Sequence, residues 1–235
     1  MKGIRLGVLI PSGNTVMEPD FYRMIPESFT AHFARIRLER DTEEEITRMI
    51  DYVQDAAELL SHAQVDIIAF GCTGGSFIGG PGYDEKIIKK IERITKIPAT
   101  TTATAVVEAL KEMKIRKLTM ATPYEEWLNQ KEVTFLEDKG LKVLSMGGLG
   151  IIEADAIASY PPRKIKQFVK KLDTSETDGI FISCTGFRGV EVIKDLETDL
   201  NKPVVTSNQA TLWAMMRMVK CRKPVFNYGK LLETL

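Results

Sequence analysis

The chain has 235 residues, enough to bury roughly three-quarters of its unfolded surface as one large domain or two small ones. Lys+Arg and Asp+Glu balance at 32 each, so no basic excess points to nucleic acid and no acidic excess to a solvating tail. No apolar run approaches the roughly 20 residues of a membrane span, and Met1-Lys2-Gly3 leads into a short apolar stretch that Pro11 ends too soon for a signal peptide, so the expected location is cytoplasmic, with Cys72, Cys184 and Cys221 kept as thiols.

Short apolar runs alternate with longer helix-period segments in chain order, the pattern of parallel sheets with crossover helices. Strands are predicted at 5–10, 31–37, 67–70 and 99–101, then at 118–121, 142–146, 180–183 and 204–206. Helices are predicted at 14–24, 42–63, 83–95, 103–113, 124–139, 162–171, 189–199 and 209–220. The 42–63 helix carries the strongest signal. Thr42 with Glu45 reads as a capping box, and Ile46, Met49, Ile50, Val53, Ala57 and Leu60 form one apolar stripe.

The second set of elements repeats the first. Asp66-Ile67-Ile68 leads through Gly71 to Cys72-Thr73-Gly74, and Asp178-Gly179-Ile180 leads through Ser183 to Cys184-Thr185-Gly186, 112 positions later. The same offset pairs Leu6 with Leu118, Pro11 with Pro123 and Ser12 with Tyr124. The expected fold is therefore α/β: two pseudo-symmetric parallel-sheet, flavodoxin-like halves with an interdomain cleft. Residues 1–113 form the first half, with Cys72, and 114–206 the second, with Cys184; the helix within 207–220 is expected to pack back onto the first half.

Ligands in such sheets bind beyond the carboxyl ends of the strands, where all the unusual loops fall. Gly71-Cys72-Thr73-Gly74-Gly75-Ser76 and Cys184-Thr185-Gly186 offer unpaired backbone N–H groups, which bind carboxylates and favour a thiolate. A lone strand-end cysteine is more often buried structure. Two at equivalent positions, each followed by Thr-Gly or its equivalent, point to chemistry. Two facing thiols can move a proton on a small carbon acid, or add and remove sulfur, with no cofactor. In Pro11-Ser12-Gly13-Asn14-Thr15, Ser12 and Asn14 are candidate carboxylate donors, and Tyr124 is a candidate phenolic donor. Substrate binding is assigned to Ser12, Asn14, Thr73, Gly74, Tyr124, Thr185 and Gly186. No cysteine or histidine spacing suggests a metal site, and the glycine loop lacks the order of a nucleotide fingerprint. Neither His32 nor His62 is placed for catalysis, and Cys221 is read as incidental.

These residues resemble the Asp/Glu racemase superfamily, and within it the maleate cis-trans isomerase and arylmalonate decarboxylase group, over nearly the whole chain. The stretch from Pro11 to Glu18 resembles the isomerase signature, and Cys72, Cys184 and Tyr124 match its two catalytic cysteines and its binding tyrosine. The resemblance implies Asn14 as a carboxylate ligand, Cys72 as the nucleophile and Cys184 as proton donor and acceptor. It also places Ala154 where the isomerases carry a second binding Asn. The Thr100–Ala105 run and the loops around Gly71 and Ser183 are more similar to the decarboxylases.

The reading is a cofactor-independent two-cysteine isomerase of small carboxylates, most like maleate cis-trans isomerase, with no metal and no cofactor. The alternatives are an arylmalonate-type decarboxylase, an amino-acid or hydantoin racemase, and a non-catalytic metabolite-binding protein. The expected partner is a small carboxylate or dicarboxylate, with no nucleic acid or membrane; whether the chain forms a homo-oligomer is left open.

Overall fold

The computed structural model describes residues 3–235. Met1 and Lys2, where the segment read against a signal peptide starts, lie outside them. Eight strands form two parallel four-stranded sheets. The first has β1 (Ile4–Pro11), β2 (Phe29–Ile36), β3 (Ile67–Phe70) and β4 (Ala99–Thr101) in the order β2-β1-β3-β4. The second has β5 (Lys117–Thr122), β6 (Lys142–Gly148), β7 (Gly179–Ile182) and β8 (Val204–Thr206) in the order β6-β5-β7-β8. The sequence repeat is thus a repeat of topology: β1 and β5 are the inner strands on which each sheet reverses direction. Ligands gather at such switch points. The central strands β3 and β7 are buried throughout, as expected of strands covered on both faces.

In chain order the helices are α1 (Met17–Met24), α2 (Glu43–Ser61), α3 (Thr73–Phe77), α4 (Tyr83–Thr95), α5 (Thr102–Glu112), α6 (Glu126–Asp138), α7 (Ala154–Ser159), α8 (Pro162–Leu172), α9 (Ile193–Leu200) and α10 (Ser207–Met218). Each expected helix is present, with shifted ends that have local causes. α1 starts three residues late because the Asn14 side-chain oxygen accepts from the N–H groups of Val16 and Met17, which makes a turn. α9 is preceded by a 3₁₀ turn, Val190–Val192, inside the predicted helix.

The capping box at α2 is half formed. Thr42 Oγ1 accepts from Glu45 N–H at 3.3 Å. The Glu45 carboxylate instead accepts from the N–H groups of Glu39 and Arg40, each at 3.0 Å, and binds the Arg40 guanidinium. This fixes the loop between β2 and α2. The buried stripe of α2 is Ile46, Met49, Val53, Ala56, Ala57 and Leu60.

α10 follows the second sheet but packs on α5, β3 and α1 of the first half, as well as on β8. Thr206 and Gln209 form a reciprocal capping box at its start. No helix among the described residues is long and apolar enough to cross a membrane.

Candidate active site

The carboxyl ends of both sheets meet in one cleft. Pro11, Asn14, Leu38, Asp41, Cys72 and Thr73 line one side, and Tyr124, Ala154, Ile157, Cys184, Thr185 and Gly186 the other. The cleft encloses about 470 Å³ of non-protein space, part of it open to solvent.

Cys72 ends β3 and caps α3. Its Sγ accepts from Gly75 N–H at 3.3 Å, and its carbonyl accepts from Ser76 N–H. Glycine at position 75 leaves room for this. A Cβ there would lie 3.1 Å from Sγ and 3.0 Å from the Phe70 ring. The N–H groups of Thr73 and Gly74, in the first turn of α3, make no bond among the described residues and are available to a ligand. α3 is short, as the small residues of this loop predict, because Gly74-Gly75 is poor helix material. The cap from Cys72 and the burial of Phe77 form it locally.

Cys184 follows β7 at the equivalent point, but no helix starts there. Its φ is +89°, a region that L residues seldom occupy. Its Sγ accepts from Gly186 N–H at 3.3 Å, and the Tyr124 phenol lies close enough to lower its pKa. Ser183, one residue earlier, donates to the buried carboxyl of Glu132 at 2.7 Å. The other Glu132 oxygen has no partner among the described residues, and burial raises the carboxyl to about 8.

Asn14 is oriented by its surroundings. Its Oδ1 accepts two backbone N–H groups, so Nδ2 must face the cleft side, where it donates to Thr185 Oγ1 at 3.0 Å. One Nδ2 proton remains for a ligand. The Thr185 hydroxyl in turn donates to the Gly71 carbonyl, which ties the two halves together beside the cleft. Thr73 Oγ1 donates to Ser207 at 2.9 Å, so its hydroxyl proton is engaged; its backbone N–H is what remains to offer.

Two expectations need correction. Ser12 does not line the cleft. It is exposed, and its hydroxyl exchanges hydrogen bonds with the backbone of Leu38, donating to the carbonyl and accepting from the N–H. Its partner in the repeat, Tyr124, does line it. The thiols are also not pre-ionised. Burial pushes Cys72 up to about 12, with the Asp41 carboxylate adding to the shift and Gly75 N–H opposing it. Burial and Asp41 likewise raise Cys184 well above the ordinary thiol range, against the lowering effect of Tyr124 and Gly186. The donors seen in the sequence are there, but desolvation outweighs them.

Asp41 is the residue the sequence reading missed. It stands just beyond β2, at the same carboxyl edge as the other loops, and that position was the available signal. Its N–H donates to the Ile152 carbonyl across the cleft, and a single antiparallel bridge joins Arg40 to Glu153 beside it. Gly13 and Ala154 close the same seam: a Cβ on Gly13 would stand 2.8 Å from the Ala154 Cβ. Cys221 is buried away from the cleft, and neither His32 nor His62 borders it. No group of side chains suited to a metal ion occurs among the described residues.

Residues 6–232 match the family model for arylmalonate decarboxylase. A maleate isomerase of Pseudomonas putida is 30% identical, over 97% of each chain. An arylmalonate decarboxylase of Bordetella bronchiseptica is 26% identical, over 97% of this chain and 96% of its own. Among solved structures, a cysteine-to-alanine variant of the maleate isomerase Iso from Pseudomonas putida S16, with maleate, superposes with a TM-score of 0.96 at 26% identity, covering 99% of this chain and 98% of that one.

Proposed function

The chain belongs to the arylmalonate decarboxylase family, and within it we propose that it is a cofactor-independent two-cysteine isomerase of small carboxylates, of the maleate cis-trans isomerase type. The observation that carries this is the pair of buried thiols on one cleft, Cys72 from β3 and Cys184 from β7, each with a backbone N–H on its sulfur. A decarboxylase needs one proton donor. Two thiols with donors of their own suit a reaction in which one sulfur adds and the other moves a proton.

In this reading one substrate carboxylate is held by Asn14 Nδ2 and by the free N–H groups of Thr73 and Gly74. Cys72 Sγ bonds to one olefinic carbon, and the π electrons move to the neighbouring carbon and the group conjugated with it. Cys184 protonates that carbon and is left as the thiolate, while the proton of Cys72 passes to solvent. Rotation about the resulting single bond turns the other hydrogen of that carbon toward the Cys184 thiolate, which removes it as the C–S bond breaks, giving the trans product; Cys72 then regains a proton from solvent. Backbone donors stabilise the transient charge at little reorganisation cost because they are already in place. The neutral resting thiols fit a cleft that holds a nucleophile unreactive until substrate arrives.

The test is a proton NMR time course with cis-enoic acids, with mass spectrometry of the Cys184→Ser protein. The expected results are cis-to-trans conversion by the native protein and a substrate adduct on Cys72 in the variant. Loss of carbon dioxide from an arylmalonate with no isomerisation of any cis acid would sink the proposal.

A further inference from the structure

The cleft has a charge pattern that a dianionic ligand does not match. Asp41 lines it, yet its carboxylate accepts no hydrogen bond and pairs with no cation among the described residues. Among the described residues no Lys, Arg or His lines the cleft, which carries a second acid, Glu39, at its rim. The nearest cation in sequence, Arg40, is held by Glu45 at 3.0 Å. Glu45, Cys72, Cys184 and Tyr124 are the titratable groups that interact with Asp41 from α2, the two thiol loops and the loop after β5. None of them can supply positive charge. Across from Asp41, Ala154 offers a methyl group and no donor.

The position of Asp41 is fixed. Glu45 holds the backbone of Glu39 and Arg40, and Asp41 N–H is bonded to Ile152. A carboxylate kept at the cleft with no partner among the described residues is positioned to accept hydrogen bonds from a ligand. The donors for a substrate carboxylate, Asn14 Nδ2 and the N–H groups of Thr73 and Gly74, belong to other loops. The cleft thus offers donors from the loops after β1 and β3 and a bare carboxylate from the loop after β2.

We infer that Asp41 is a specificity-determining residue, and that the substrate carries a carboxylate at one end and an N–H donor, a carboxamide or an ammonium group, at the other. This rests on the isomerase reading and narrows it: a half-amide or amino acid of the same chain length is preferred over the diacid. A second carboxylate would meet like charge with no cation to offset it. Protonated Asp41 could admit one, and burial raises Asp41 to about 7, so the preference is sharpest above that pH.

The experiment is calorimetric titration of the native protein at about pH 8.5, where Asp41 is ionised, with succinate, succinamate and 4-aminobutyrate. The three share a four-carbon chain and differ at one end: carboxylate, carboxamide and ammonium. None has a double bond, so binding is read whether or not the protein isomerises anything. A failed turnover assay therefore counts against the isomerase reading alone. The expected result is binding of succinamate, 4-aminobutyrate or both about tenfold or more tighter than succinate. The stronger of the two identifies the group. Asp41→Asn should bring succinate to within a few-fold of the others, and Asp41→Ala should remove the gain for the N–H ligands. Succinate binding the native protein as tightly as the other two overturns the inference, as does binding of none of them at millimolar concentration.

Discussion

The two thiol loops occupy the same place in two copies of one topology, and they are built differently. Cys72 sits in ordinary extended backbone, φ −138°, and caps a five-residue helix whose first N–H groups face the cleft. Cys184 has φ +89°, starts no helix, and is backed by a Tyr124 contact on one side and the Ser183–Glu132 pair on the other. The sheet fixes where each sulfur stands; the loop decides what it can do. Backbone donors at Cys72 suit a sulfur that must carry charge as it attacks. A phenol at Cys184 suits a sulfur that must give and recover a proton.

The largest effect expected tests whether both loops take part. If sulfur adds to the substrate, Cys72→Ser and Cys184→Ser should each lower kcat by about a thousandfold or more, roughly 4 kcal/mol of barrier. If the protein only decarboxylates, Cys184→Ser alone should do so, and near-native turnover by Cys72→Ser on the true substrate would decide for that case.

Tyr124→Phe comes next. It removes the phenol beside Cys184 and leaves the backbone N–H on the Cys72 sulfur in place. A loss of about 1–3 kcal/mol, ten- to a hundredfold in kcat/KM, is expected from leaving a buried ionisable partner short of a hydrogen bond. Steady-state kinetics at several pH values will show it; unchanged kinetics would remove Tyr124 from the chemistry.

The buried Glu132 distinguishes the second loop by stability. In the folded protein it keeps its proton up to about 8, whereas the unfolded chain releases it near the ordinary carboxyl value. Between those values the folded state binds more protons, so this group makes stability fall as pH rises. Glu132→Gln should flatten that fall in a Tm series from acid to pH 8, with a gain of about 1–2 kcal/mol at the alkaline end. A series that keeps its slope would show that Glu132 does not titrate there.

The smallest effect separates the two backbones directly. At Cys184, glycine should be more stable than alanine by about 1 kcal/mol, because only glycine takes a positive φ without strain. At Cys72 the order should reverse by about 0.5–1 kcal/mol, because glycine there only adds freedom to the unfolded chain. Urea melts of the four variants measure both differences. The same order at both sites would remove the backbone contrast.

Much of this was legible in the sequence, for identifiable reasons. The sheets follow from apolar runs, and the shared cleft from loops that all fall at the carboxyl ends of strands. Positions such as Asn14 and Tyr124 stand out because polar residues with donors break an apolar pattern there. Asp41 was harder to see. It sits in an ordinary acidic stretch, Glu39 to Glu45, and only Glu45 turning back onto the Glu39 and Arg40 backbone shows which acid faces the cleft. Ser12 misled for the opposite reason: its repeat partner Tyr124 lines the cleft, but the repeat carries backbone position and not side-chain direction. The thiol acidity was misjudged because donors can be read from a sequence and the depth of burial cannot.

The start of α10 has a consequence for how the molecule melts. Ser207 accepts from Thr73, and Asn208 donates both to Asp20 and to the Thr185 carbonyl, so one turn of helix grips the loops of both copies. The rest of α10 covers α5. A chain cut at the repeat boundary would leave that face of α5 bare and these polar groups without partners. Two halves that look interchangeable on paper are therefore expected to lose structure together, in one calorimetric transition, with neither able to outlast the other.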